Sequence, residues 1–549
     1  MVELGVQKIM KAATLSKALV IRINLVFIAF FLVIYASLLL QPSSSLYFQN
    51  AASLVRCSFR ECHHKLGKGV KMEKILEPIK KNLTMLEVPS FVDGFGGGLK
   101  IGMVNFEGDQ DLSQWRKHGE TIPVHFDRVP EALKWQDLFP EWIDEEEESE
   151  VPKCPEFPMP NFDKYPNMDL IVAKLPCKYP INGWSRDVFR LQVHLITAKM
   201  AVKNGKKKKI KVVFTSKCRP MLELFRCNDL VKQEGDWWYY EPDVEKLEQK
   251  TGLPVGSCKL ALPLWGQGNH EELDVTKIKH TTTNPKREAY ATVLHSSESY
   301  VCGAITLAQS LLKSGTNRDL ILLLDDSISE PKRHALELAG WRLRFIKRIR
   351  NPRAQKHTYN EYNYSKFRLW QLTDYEKVIF IDADITPSNC TFKVLMDKRD
   401  EIISYNGGDQ GYLNEVFVWW HRLPRRVNFL KNFWSNTTAE TKMKNQLFAA
   451  EPPKLYSIHY LGLKPWLCYR DYDCNWNRED HHIFASDVAH RRWWKFHDAM
   501  DEKLQRFCGL TKKRKAQLDA DRKKAKEIGL KDKHWKINIK DPRRKYLMK

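Results

Sequence analysis

Hydrophobic patterning divides the chain into regions of different character. From Leu25 to Leu40 apolar and small residues run without a break, and Ile23 extends the run toward bilayer-spanning length. Lys8, Lys11, Lys17 and Arg22 precede it, opposed only by Glu3. A basic flank is retained in the cytosol, so the pattern predicts a cytoplasmic tail over 1–22 and a single transmembrane anchor over 23–41. The run exceeds the apolar core of a cleaved signal peptide, so the anchor is expected to stay. Everything after it is then lumenal.

The next stretch, 42–165, has the weak periodicity of a stem and irregular region. Within it a glycine-rich turn at 94–98 leads into a strand-like run at 99–106, and an acidic linker occupies 144–150. From 166 to 285 the periods of two and 3.6 alternate. They predict strands over 169–173 and 210–215 around a helix over 187–203, an additional smaller α/β region. From 286 to 500 the alternation is clearest. Strands are expected over 289–294, 320–324, 341–346 and 377–381, with helices over 300–313, 330–339 and 366–372. Such alternation specifies a doubly wound, mostly parallel sheet with ligands beyond the carboxyl ends of its strands. The basic segment 501–549 is expected to form an exposed helix.

Charge narrows the partners. Lys and Arg number 89 against 67 Asp and Glu, a formal net charge of +22. That surplus favours phosphate-bearing or polyanionic partners. A lumenal body meets no DNA, so nucleic acid is set aside. The 12 cysteines form no paired zinc spacing. Cys57 with Cys62 and Cys468 with Cys474 are near enough in sequence to pair in an oxidising lumen, with buried free thiols as the alternative. Glycosylation triplets at Asn82, Asn389 and Asn436 agree with a lumenal body.

Candidate chemistry gathers at three points. Asp382 and Asp384 close the buried strand VIFIDADI. Carboxylates one residue apart leave a strand on the same side, and two like charges held close call for a cation between them. A hard divalent ion fits. The segment HYLGLKPW supplies His459 as a further metal ligand, Lys464 as a cation for a diphosphate, and Gly462 to let the backbone approach that group. In NGGDQGYLN, Asp409 and Gln410 offer an acceptor and a donor for sugar hydroxyls facing an anomeric carbon.

At these three points together the chain resembles glycosyltransferase family eight, the glycogenin-like retaining enzymes. The tracts YNGGDQGYLNEVFVWWHRLP and HYLGLKPWLCYRDYDCNW resemble more closely its plant xylan glucuronosyltransferases. The resemblance implies a GT-A-like sheet, with Mn²⁺ on Asp382, Asp384 and His459. It implies that Lys464 and Gly462 hold the donor diphosphate, that Leu294 and Tyr300 contact uridine, and that Lys366 contacts the donor sugar or phosphates. Asp409 and Gln410 would sit at the reacting sugar. The implied reaction moves glucuronic acid from UDP-glucuronate to xylan in a Golgi, type II setting. A glycogenin-like or other UDP-sugar transferase and a non-catalytic lumenal scaffold are the alternatives. One departure matters. Family members carry a longer segment between the DxD and the GGDQ turn, with an Asn-Ser-Gly turn and a central strand, whereas here Ile385 runs directly into Thr386. Loss of a central strand is expected to impair or abolish activity.

Overall fold

In a computed structural model the described residues span 87–544, with breaks at 107–108, 141–154, 207–209, 259–287, 359, 382, 386–388, 400–406, 422–426, 434–437 and 453. The expected tail and anchor, 1–22 and 23–41, lie outside the described residues. Among the described residues no helix is long and apolar enough to cross a membrane.

Two α/β sheets organise the chain. The first begins inside the segment expected to be stem, with β1 (Leu99–Val104) and β2 (Gly119–Val124) joining β3 (Leu170–Lys174), β4 (Lys211–Thr215), β5 (Leu230–Glu234) and β6 (Trp237–Tyr240) in the order β2-β1-β3-β4-β6-β5. Strands β2, β1, β3 and β4 are parallel; β6 is antiparallel to β4, and β5 antiparallel to β6. Polar β2 carries Pro123, which an edge strand tolerates because its outer side needs no donor. Helix α1 (Val188–Asn204) covers one face. Its buried Leu191, Leu195, Ile196 and Met200 pack with Ile171, Val212 and Phe214 of the sheet. With six strands this region is larger than the small α/β unit the periodicity suggested.

The second sheet has the order β11-β10-β7-β8-β9. Its members are β7 (Glu288–Leu294), β8 (Asp319–Leu324), β9 (Arg342–Phe345), β10 (Lys377–Phe380) and β11 (Ala383–Ile385). All neighbours are parallel except β11, which turns back along β10 at the edge. After Asp319, strand β8 is apolar at every position because both of its faces are covered; Leu320, Leu322 and Leu324 enter one core, Ile321 and Leu323 the other. Helices α2 (Val301–Lys313) and α3 (Glu330–Leu338) follow β7 and β8 as the pattern required.

Two expectations change. The predicted α-helix over 366–372 is a 3-10 helix, Asn363–Gln371. Its buried aromatic residues Tyr364, Phe367 and Trp370 recur every three positions, so a three-residue turn aligns them on one face. The basic C-terminal segment is helical, as α6 (Lys512–Glu527), counting α4 (Asp409–Val416) and α5 (Asp487–Asp498) before it. It is docked, however, and not merely exposed. Leu518 packs with Cys468, Tyr469 and Tyr472, Tyr469 donates to Asp519, and Arg514 donates to the Leu467 carbonyl. Farther on, Arg543 donates to the carbonyls of Trp466 and Cys508 and lies over Trp494. Hydropathy cannot register docking carried by guanidinium groups and aliphatic stems. Disulfides join Cys177 to Cys218, Cys302 to Cys508 and Cys468 to Cys474. The last is one of the two pairs suggested by spacing; Cys57 and Cys62 lie outside the described residues.

Candidate functional site

The carboxyl end of β7 is the natural starting point. Leu294 ends the strand, buried in the core beneath the β7–α2 turn. Tyr300 sits at the start of α2, 46% exposed. Its ring meets the edge of Trp466 with centroids 6.0 Å apart, and the Trp466 indole donates to the Ser299 carbonyl at 2.7 Å. Trp466 fits because residue 303 is glycine: a Cβ there would lie 2.6 Å from the indole. The two segments singled out for uridine and diphosphate, 170 residues apart in sequence, therefore meet.

The segment from His459 to Lys464 is held from both ends by one buried ion pair. Strands β12 (Phe429–Leu430) and β13 (Ile458–His459) run parallel, and the Lys431 N–H donates to the His459 carbonyl at 2.9 Å. The Lys431 ammonium, fully buried, reaches Asp473 Oδ2 at 2.6 Å. The same oxygen accepts from the Ser486 N–H, and Oδ1 accepts from the Asn475 side-chain amide at 2.6 Å. Asn475 in turn clasps Leu463, accepting from its N–H at 2.9 Å and donating to its carbonyl at 3.2 Å. Lys464 donates to the Tyr460 carbonyl, closing the turn.

Gly462 has a reason other than the one read from sequence. Its φ of 67° is left-handed, and a Cβ would strike Asn475 and Phe484 within 2.8 Å. Protein, and not open space, lies beside its Cα. Glycine is required there by the turn itself.

A second group forms at the start of α4. Asp409 Oδ2 meets Lys366 Nζ at 2.7 Å, and Oδ1 accepts from the Asn363 amide at 2.8 Å. The preceding Gly407, with φ 65°, is fixed by Asn351, whose amide donates to its carbonyl at 2.6 Å. Gln410 is exposed on the first turn of α4. Lys366 and Asp409 are thus brought together as a preset pair. His295, one residue past β7, shares their field. Burial pulls its imidazole below the usual value; Asp325 and Asp409 oppose this, while Arg348 and Lys366 reinforce it. Arg348 Nε contacts Asp325 Oδ2 at 2.9 Å and its guanidinium donates to Ser296. His295, Asp325 and Arg348 escaped the motif reading, although the strand-end rule marks His295 and Asp325, each one residue beyond its strand.

The metal candidates are divided. Asp382 lies outside the described residues, and of Asp384 only the backbone is described, opposite Ile379 in the β10–β11 pair. His459 is half-buried at the end of β13. Among the described residues no three potential ligands cluster. By residue type alone, two carboxylates and an imidazole are donors of the kind that Mn²⁺ accepts.

Residues 80–258 match the profile described as GUX1-5 N-terminal domain, and residues 291–399 match Glycosyl transferase family 8. UDP-glucuronate:xylan alpha-glucuronosyltransferase 2 of Arabidopsis thaliana is 58% identical over 586 aligned positions, covering 98% of both chains. The aligned span exceeds the 549 residues present here, so the relative carries residues with no counterpart in this chain. UDP-glucuronate:xylan alpha-glucuronosyltransferase 1 of the same plant is 48% identical, covering 83% of this chain and 74% of the relative. Among solved structures, a galactosyltransferase LgtC matches 40% of this chain and 99% of its own at 13% identity, with a TM-score of 0.26, too low to define a fold.

Two predictions concern the brace. Lys431→Met strands the buried Asp473 carboxylate and should cost about 3–5 kcal/mol in urea unfolding; adding Asp473→Leu should recover a large part. Strict additivity of the two changes would contradict the coupling. The second concerns His490, which takes a hydrogen bond from the Trp494 indole. Burial lowers its pKa to about 4, with Asp473 opposing and Lys431 reinforcing. Its contribution is present above its unfolded value and lost as pH falls through its folded one, roughly 3 kcal/mol between pH 6.5 and 4. His490→Gln should flatten the fall in stability over that window; an unchanged slope would count against it.

Proposed function

Because the chain belongs to glycosyltransferase family 8, among the xylan alpha-glucuronosyltransferases, we propose that it moves glucuronic acid from UDP-glucuronate onto xylan with retention of configuration. The observation that carries this reading is similarity from end to end with relatives of that name, joined to the meeting of the 459–466 segment with the β7–α2 turn. In this reading the five-stranded sheet is a GT-A-like nucleotide-binding sheet, and the six-stranded region is an N-terminal companion particular to the branch.

The residues divide the work as follows. Leu294 and Tyr300 take the uridine at the end of β7. Lys464 supplies positive charge to the diphosphate, and Gly462 shapes the turn that presents it. Lys366, preset against Asp409, faces the donor sugar or its phosphates. Asp409 and Gln410 orient the hydroxyls of the reacting sugar. Both Asp409 oxygens already hold partners, which favours a positioning part over attack on the anomeric carbon. Asp382, Asp384 and His459 would hold Mn²⁺, which when bound supplies charge that offsets the departing diphosphate. Fixed charges and dipoles at the leaving group are the largest contribution such a site makes.

The setting we propose is the Golgi membrane, with residues 1–22 cytosolic, 23–41 spanning and the body lumenal. Disulfides that persist in an oxidising compartment support it. The shortened segment after Ile385 favours a lowered turnover. Strand β11 has three residues and is followed by a helix from Asn389, so little chain is left to complete the sheet edge and donor floor.

The test is UDP release from UDP-glucuronate with xylo-oligosaccharide, with and without Mn²⁺, beside a version carrying the segment of its relatives. The restored chain should release UDP only with metal and acceptor, and the chain as written at least about tenfold more slowly, a barrier difference near 1.4 kcal/mol. Equal rates would refute the impairment. Self-labelling of a tyrosine from UDP-glucose, without acceptor dependence, would favour a glycogenin-like primer.

A further inference from the structure

The carboxyl ends of three neighbouring strands bring a cation, a carboxylate and an imidazole together. His295 and Ser296 follow β7, Asp325 follows β8, and Arg348 lies three residues beyond β9. Sheets of this kind hold ligands outside such strand ends. The backbone that carries Arg348 is tied down on both sides. The Ile346 N–H donates to the Leu324 carbonyl at 2.8 Å, Arg368 donates to the Lys347 carbonyl at 3.1 Å, and the Ile349 N–H donates to Ser365 Oγ at 3.0 Å.

The guanidinium is braced as well. Its Nε lies 2.9 Å from Asp325 Oδ2, its Nη1 donates to Ser296 Oγ at 3.2 Å, and its central carbon lies over the Tyr362 ring, 4.3 Å from the centroid. Asp325 is buried, and its other oxygen accepts from the Ser327 hydroxyl at 2.6 Å. A cation needed only to neutralise Asp325 would be buried with it. Arg348 is not: its side chain is 37% exposed, against 8% for Asp325. The contacts to Asp325 and Ser296 use Nε and Nη1, and Nη2 has no acceptor among the described residues. A planar, immobilised fork with hydrogens to spare fits a carboxylate better than a lysine would.

Its neighbours place Arg348 beside the donor sugar. Ser296, which it bonds, lies in the turn between Leu294 and Tyr300, the residues proposed above to take uridine. Arg348, Lys366 and Asp409 all act electrostatically on the His295 imidazole, so the guanidinium stands near the pair proposed to face the sugar. Lys366 is committed to Asp409 at 2.7 Å. Of the two cations near His295, Arg348 is the one with a nitrogen left to offer.

We propose that Arg348 selects a uronate donor, pairing with the sugar carboxylate of the bound nucleotide sugar while Asp325 and Tyr362 hold it in place. This rests on the transferase reading above and names the side chain that tells glucuronate from glucose. The two sugars differ at C6, a carboxylate in one and a hydroxymethyl in the other. A hydrogen bond from guanidinium to carboxylate is charge-assisted on both sides, and one to a hydroxyl is not.

Calorimetric titration of the full chain with UDP-glucuronate, UDP-glucose and UDP, each with Mn²⁺, tests this without turnover. The unaltered chain should bind UDP-glucuronate about tenfold or more tighter than UDP-glucose. Arg348→Gln should bring the two within about twofold of each other while UDP affinity is kept. Because glutamine leaves Asp325 without its cation, Arg348→Lys is the second variant; it keeps the charge, removes the fork and should lose most of the preference. Arg344→Gln removes a cation from β9 that pairs instead with Asp374, and should leave the preference as it was. Equal binding of the two sugar nucleotides by the unaltered chain overturns the proposal. So does a preference that survives in both Arg348 variants, falls equally in Arg344→Gln, or is lost only together with UDP affinity. An Arg348-dependent preference in a chain that releases no UDP with xylo-oligosaccharide, even with the segment of its relatives restored, would overturn the transferase reading alone.

Discussion

The Lys431–Asp473 pair is the constraint on which the donor side depends. Both side chains are buried, so neither charge is tolerable without the other, and their separation of 2.6 Å fixes the elements that carry them. One partner reaches the His459 end of the turn through its backbone; the other reaches Leu463 through Asn475. The segment from His459 to Lys464, proposed above to carry a metal ligand and a diphosphate-binding cation, is thereby held by protein contacts alone. Such preorganisation lets fixed charge act on a leaving group without first being reoriented.

Around this brace the chain closes on itself from distant points. Trp466 rests over Gly303, the Cys302–Cys508 bond ties α2 to the C-terminal region, and Arg543 bonds the carbonyls of Trp466 and Cys508. On the other side the N-terminal sheet region grips the chain leaving α4 through Glu223 and Arg186. The helix that begins with Asp409 is therefore supported at both ends by different parts of the molecule. This explains how a companion region of six strands can matter to a reaction centred on another sheet.

Four strands of the second sheet were legible because their periodicity is local; the three-residue β11, Ala383–Ile385, is too short to show one. Leu320–Leu324 is apolar at every position, and only a doubly covered strand accounts for that. Motif composition singled out 459–466, and the family resemblance pointed to Leu294 and Tyr300 at the β7–α2 turn, which that segment meets. What escaped depends on partners far away in sequence. Nothing in the tract around Lys431 announces a buried cation, because its partner lies more than forty residues on. At Gly462 a neighbouring asparagine and phenylalanine exclude a side chain, a packing constraint that the local sequence does not show. The C-terminal helix looked solvated because its docking residues are charged. His295 and Asp325 fall in no motif, and strand ends alone mark them.

In the function proposed above, the turn bearing Lys464 and the β7–α2 turn form two walls of one nucleotide site. Photo-crosslinking with an azido-uridine analogue of UDP-glucuronate, followed by peptide mapping, addresses it directly. Label is expected on peptides covering 294–303 and 459–466, competed away by UDP. Label confined to other regions of the chain, or insensitive to UDP, would contradict it.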